Sequence, residues 1–174
     1  MGGYVELREV YRNQNYGTLL YPLTVALTMT RGAVIELGAG VWSTPYLHQF
    51  CAHTGRTLYT VEPNDEWRSY FIAMQSGTHL FLPAPPDTAL TVAGVILVDS
   101  MLPSERAREL LELEAEVFVL HDAGPTDVPN YPGLAVAIDS FPYTRLYAAL
   151  YPATMLLSKT REDLPQAAVE DVRP

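Results

Sequence analysis

Residues 34–40, Val-Ile-Glu-Leu-Gly-Ala-Gly, constrain this chain more than any other stretch. An apolar run containing one acid ends in two glycines spaced by a single residue, and a helix-compatible stretch over 43–53 follows. The order reads as strand, tight turn and helix N-terminus. Glycines in such a turn let a ligand approach the backbone, because no side chain stands in the way. The continuous apolar run suits a central parallel strand covered on both faces.

The rest of the chain repeats this alternation. Leu20–Met29 reads as a helix, with Pro22 in its first turn, where a missing N–H costs nothing. Strands are expected at 33–37, 57–61, 79–82, 92–98 and 117–120. Tyr46, Leu47, Phe50 and Cys51 fall at helical spacing between the first two. Asn64 can cap the next helix, whose apolar face is Trp67, Tyr70, Phe71 and Met74. Ser104 can cap a helix running through Glu116. Residues 123–132, with three prolines, Gly, Asp and Asn, form a loop, and 134–140 a short helix. The runs 143–150 and 154–159 read as an antiparallel pair around Tyr151-Pro152-Ala153. Residues 1–18 form a polar, tyrosine-rich cap or lid, and 161–174 a frayed tail. The whole of 1–174 is read as one domain of an open α/β sheet.

Composition narrows the function. With 174 residues and 48% hydrophobic content, the chain can bury a sizeable core. Twenty acids against 11 bases give a charge of −9, with no block of Lys or Arg. Generic nucleic-acid binding is therefore not expected. The single cysteine, Cys51, forms no internal disulfide, reads as a small core residue and fits a reducing, cytoplasmic setting. Residues 1–12 are polar and charged, unlike a secretory signal. The longest apolar stretch, 19–29, is too short to span a bilayer, so no membrane association is expected.

At the first turn, a phosphate-binding loop would need Gly-Lys-Ser/Thr, which is absent. A nicotinamide dinucleotide site conflicts with Glu36, whose charge would repel a pyrophosphate; it suits a cationic ligand instead. Glu62 ends the second strand, where an acid can accept hydrogen bonds from both hydroxyls of an adenosine ribose, and Pro63 fixes the turn after it. Together these residues resemble class I S-adenosylmethionine-dependent methyltransferases. The resemblance implies a Rossmann-like, mostly parallel seven-stranded sheet. Helices cover both its faces, and the last strand of a C-terminal hairpin is inserted antiparallel. It implies S-adenosylmethionine as cofactor, held by Glu36, Gly38, Ala39, Gly40, Ser43, Thr44, Glu62, Pro63 and Asp99. Ser43 and Thr44 either receive the cofactor carboxylate or simply cap the helix. Adenine would lie against the loop 83–88, where Asp87 is the only acid.

The expected catalytic residues are Asp99, His121 and Asp122, at the carboxyl ends of the fourth and fifth strands. His121 is the candidate general base, its rival role being a structural histidine. Asp99 and Asp122 also resemble two ligands of the magnesium-dependent catechol-type enzymes. Ala123 stands where those carry asparagine, so no metal is expected. His48, His53 and His79 lack ligand spacing, Arg106 reads as a surface ion-pair residue, and Trp67 as core. Trp42 either packs over the site or fills the core. Tyr131, Tyr143, Tyr147 and Tyr151 can frame an aromatic pocket. The expected activity is methyl transfer to a hydroxyl or amine of a small molecule. The alternative is a catalytically inactive cofactor-binding partner or regulatory protein. Either reading admits a homo-oligomer.

Overall fold

The computed structural model describes residues 19–85, 93–149 and 151–165. Helix α1 (Leu20–Met29) leads into β1 (Val34–Leu37), α2 (Ser43–Thr54) and β2 (Leu58–Val61). The short α3 (Asp65–Ser69) precedes β3 (His79–Leu82), then β4 (Ala93–Val98), α4 (Pro103–Glu112) and β5 (Ala115–His121). Helix α5 (Leu134–Asp139) and the strands β6 (Tyr143–Tyr147) and β7 (Thr154–Ser158) complete the fold.

The seven strands form one sheet in the order β3-β2-β1-β4-β5-β7-β6. β1 to β5 run parallel, and β7 lies antiparallel between β5 and β6. This is the expected Rossmann-like α/β architecture, hairpin included. The chain leaves β1 towards β2 on one side and later returns to β4 on the other. The crevice beyond the carboxyl ends of β1 and β4 is therefore the topological switch point, where open α/β sheets bind ligands.

Burial explains the central strands. Every residue of β1 and β4 is buried. One core packs α1 and α2 on the sheet through Leu23, Leu27, Leu47, Cys51, Val95 and Leu156. The other packs α4 and α5 through Ile35, Ile96, Leu110, Phe118 and Leu134. Each fully buried Leu, Ile, Val or Phe among them contributes about 1.5–3 kcal/mol. Among the described residues, no helix is long and apolar enough to cross a membrane.

Four expectations need correction. Helix α4 stops at Glu112, and its N-cap is Leu102 with Pro103 at the first helical position, so Ser104 lies inside the helix. Its C-terminal end yields to the sheet: Ala93 N–H donates to Glu114 O, and Ala115 pairs with Ala93. Asn64 does cap α3, accepting from Trp67 N–H, but that helix spans five residues. Trp67 and Tyr70 are exposed and only Phe71 is buried, so the expected apolar face is not a core face. The start of the tail is packed, since Leu164 is buried and Tyr147 Oη donates to Pro165 O. The expectations for 1–18, Asp87 and 166–174 lie outside the described residues.

Candidate functional site

The turn after β1 needs its first glycine. Gly38 has φ +92°, and a Cβ there would sit 2.5 Å from the Asp99 carbonyl oxygen. The ends of β1 and β4 thus meet through bare backbone. All three turn N–H groups are committed within the chain: Gly38 to Val61 O, Ala39 to Glu62 Oε2 and Gly40 to Thr44 Oγ1. From outside, Trp67 Nε1 donates to Ala39 O at 2.7 Å, so this tryptophan pins the turn rather than filling the core. A turn with its amides spent in this way has none to offer a pyrophosphate, a second reason against a dinucleotide.

Glu36 lies under the turn and is fully buried. Its Oε2 accepts from Thr60 Oγ1 at 2.7 Å and Thr44 Oγ1 at 2.9 Å. Oε1 has no partner of hydrogen-bonding geometry, although the nearby Ser43 hydroxyl favours the ionised form. Burial outweighs these hydroxyls and pushes the Glu36 carboxyl up to about 7. Ser43 and Thr44 are also buried, and Thr44 spends its hydroxyl on Glu36. These two residues shape the turn from within rather than presenting hydroxyls to a ligand. Trp42 is the N-cap of α2 and is partly exposed beside the turn.

Glu62 sits across from the turn at the end of β2. Its Oε2 accepts from Ala39 N–H and its Oε1 from Asn64 N–H at 2.8 Å, which fixes the carboxylate while leaving each oxygen a lone pair. A cleft of about 310 Å³ opens beside it, lined by Gly38, Val61, Glu62 and Pro63 on one side and by Pro83 and Met101 on another. That volume falls within the range of about 300–1,000 Å³ typical of small-molecule sites.

At the neighbouring strand ends, Arg106 organises the acids. It is 3% exposed, not a surface residue. Nε donates to Ser100 O at 2.9 Å and one terminal nitrogen to His121 O at 2.7 Å. The other terminal nitrogen lies 3.1 Å from Asp99 Oδ1 and 3.4 Å from Asp122 Oδ2. The guanidinium also stacks 4.3 Å from the centre of the Tyr131 ring, whose hydroxyl donates to Asp122. Burial pushes Asp99 up, with His121 and Arg106 pulling the other way. His121 Nδ1 lies 3.0 Å from Thr154 Oγ1 and Nε2 lies 3.7 Å from Asp122 Oδ1. Asp122 has φ +52°, in the left-handed region that few side chains other than Asn and Asp adopt.

The structure therefore brings the predicted residues into two groups on one sheet edge. Gly38, Ala39, Gly40, Glu62 and Pro63 surround the cleft and its turn, with Glu36, Ser43 and Thr44 beneath. Asp99, His121 and Asp122 gather around Arg106. A magnesium ion does not fit this second group, because the guanidinium already spans both carboxylates. Among the described residues no set of three His, Cys, Asp or Glu side chains could hold a metal. Tyr131 and Tyr151 belong to this edge, Tyr151 bonding Asp127. Tyr143 and Tyr147 instead pack in the α1–α2 core.

Arg106 escaped the sequence reading because acids surround it in α4. A signal was present: it lies four residues before Leu110, on the buried stripe of the helix. No family model matches the chain, and no curated protein matches it. A solved structure described as that of a "putative methyltransferase from Thermoplasma acidophilum" aligns with a TM-score of 0.46 and 13% identity, over 75% of this chain and 70% of that one.

Proposed function

We propose that this chain is an S-adenosylmethionine-dependent methyltransferase acting on a hydroxyl or amine of a small molecule. The observation that carries the reading is the cleft at the switch point, where Gly38, Glu62 and Pro63 line one wall. Glu62 is held by two backbone amides with lone pairs to spare for the two ribose hydroxyls. The bare turn at Gly38 admits the cofactor next to backbone, and the carboxyl of Glu36 beneath suits its cationic end. When bound, the cofactor supplies an electrophilic methyl group to an in-line displacement.

The chain's own residues then align the acceptor and manage its proton. With Nδ1–H donated to Thr154, the His121 ring has Nε2 free to take a proton from the acceptor hydroxyl or amine. Asp122, beside Nε2, stabilises the imidazolium that results. Arg106 holds Asp99 and Asp122 in register, the place a metal takes in the catechol-type enzymes.

Calorimetry tests the cofactor assignment. S-adenosylmethionine and S-adenosylhomocysteine should bind, and NAD should not. Glu62→Gln should weaken both by about tenfold, because charge-assisted bonds to the ribose become neutral ones. Binding of NAD without S-adenosylhomocysteine would overturn the assignment. One observation favours the alternative, a cofactor-binding partner protein that transfers nothing: the His121 side chain is only 9% exposed. Formation of S-adenosylhomocysteine with a panel of phenols and amines separates the two readings.

A further inference from the structure

A chain of hydrogen bonds that the transfer does not use runs from the turn to a half-buried flank of α2. Thr60 Oγ1 lies 2.7 Å from Glu36 Oε2 and 2.9 Å from His79 Nε2. His79 Nδ1 in turn lies 3.0 Å from His48 Nδ1. Glu36, Thr60 and His79 are buried, whereas His48 on α2 is only half-buried and forms the end nearest solvent. A hydroxyl has one proton to give. If Thr60 donates to Glu36, His79 must donate from Nε2 and accept at Nδ1 from His48. If Glu36 carries a proton, every bond in the row can reverse.

The groups facing the carboxyl leave it without a counter-ion. From α2 these are Ser43, Thr44 and Cys51, whose thiol burial pushes up to about 11. From β2 comes Thr60, and from the end of β4 comes Asp99, which raises the carboxyl further. No cationic side chain among the described residues pairs with Glu36. Such a carboxyl keeps its proton to unusually high pH.

We propose that Glu36, Thr60, His79 and His48 form a proton relay that couples the charge of the buried carboxyl to the charge of the ligand at the glycine turn. This rests on the cofactor reading above, which places a sulfonium and an ammonium group there. As the cation settles, the Glu36 proton passes to Thr60, whose own proton passes to His79 Nε2. The His79 Nδ1 proton passes to His48 Nδ1, and His48 releases one proton from Nε2 to solvent. Each intermediate group ends neutral, with the row of bonds reversed. The product, with an uncharged sulfur, draws out less of the proton. Rising pH therefore favours the cofactor over its product.

The test has two arms. In the ligand-free protein, carbon-13 NMR of the Glu36 side-chain carboxyl should show a midpoint near pH 7. His79→Phe, which severs the row, should raise that midpoint by about one pH unit. His48→Gln, at a half-buried position, should raise it by less. A midpoint below pH 5, or one that neither variant moves, overturns the relay. In the second arm, calorimetry at pH 7 in buffers of different ionisation enthalpy counts protons. S-adenosylmethionine should release about half a proton, S-adenosylhomocysteine less, and Glu36→Gln none. Equal release by wild type and Glu36→Gln overturns the coupling. If neither ligand binds, the cofactor reading fails and the coupling with it, while the NMR midpoint still decides the relay.

Discussion

Replacing Arg106 with methionine keeps the length of the side chain and removes its charge and donors. Two carbonyl oxygens, those of Ser100 and His121, lose bonds of 2.9 and 2.7 Å. Each buried acceptor left unmet costs about 1–3 kcal/mol. Asp99 and Asp122 lose their shared counter-ion, and breaking a buried pair costs about 3–5 kcal/mol. These terms overlap, and the two carboxylate side chains are 25% and 29% exposed, so water recovers part of the loss. We expect Arg106→Met to lose about 3–4 kcal/mol of folding stability at pH 7. Urea denaturation measures it. The loss should shrink as pH falls, because Asp99, pushed up by burial, can then take up a proton. Arg106→Lys should restore only part of the stability, since a single ammonium cannot span two carboxylates and two carbonyls. A loss below about 1 kcal/mol, within the range of exposed pairs, would refute the clamp. So would a loss independent of pH, which would point to packing alone.

Glu36→Gln should change the pH dependence of stability. The carboxyl titrates near 4.5 ordinarily and at about 7 in the fold, so the folded state holds the proton more tightly. That contribution is full below pH 4.5 and is lost as pH rises to 7. At about 1.4 kcal/mol per pH unit, the variant should gain about 3 kcal/mol on wild type by pH 8.5 and match it at pH 4.5, in paired urea titrations. A pH-independent difference contradicts this. Gly38→Ala combines a φ of +92° with a Cβ 2.5 Å from the Asp99 carbonyl, and should cost about 3 kcal/mol, or roughly 6–10 °C in Tm. A drop under 2 °C would show that the two strand ends can part cheaply. Once an acceptor is found, His121→Ala should lower turnover by roughly two to four orders of magnitude while leaving S-adenosylhomocysteine affinity nearly unchanged in calorimetry. Full turnover would leave alignment alone as the source of rate.

What could be read from order alone was local. The glycines at 38 and 40 and the acids at 36 and 62 each follow an apolar run, so a short window locates them on strand ends. The resemblance then supplied the seven strands and the antiparallel insertion of the last one. Contacts between distant segments were not legible. Arg106 has Glu105, Glu109 and Glu112 as helix neighbours, which suggests a solvated face, yet its guanidinium reaches His121 O fifteen residues on. The indole of Trp67 reaches Ala39 across 28 residues, a bond that no periodicity encodes. Residues 113–116 retain helical composition, but pairing of Ala115 with Ala93 starts β5 at Ala115 and stops the helix before it. His79 fails any test of ligand spacing, because its partners Thr60 and His48 come from two other elements.

The placement of β7 between β5 and β6 has a consequence for the order in which the molecule matures. The turn and Glu62 are held by β1, β2, β4, the Asn64 N–H and the indole of Trp67, all of which precede residue 100. His121 is different: the hydroxyl that orients its ring belongs to Thr154, 33 residues further on. β5 must keep one edge unpaired until the hairpin docks, and only then does the imidazole acquire a fixed direction. A growing chain on the ribosome therefore releases every residue that lines the cleft, the last being Glu109, well before Thr154.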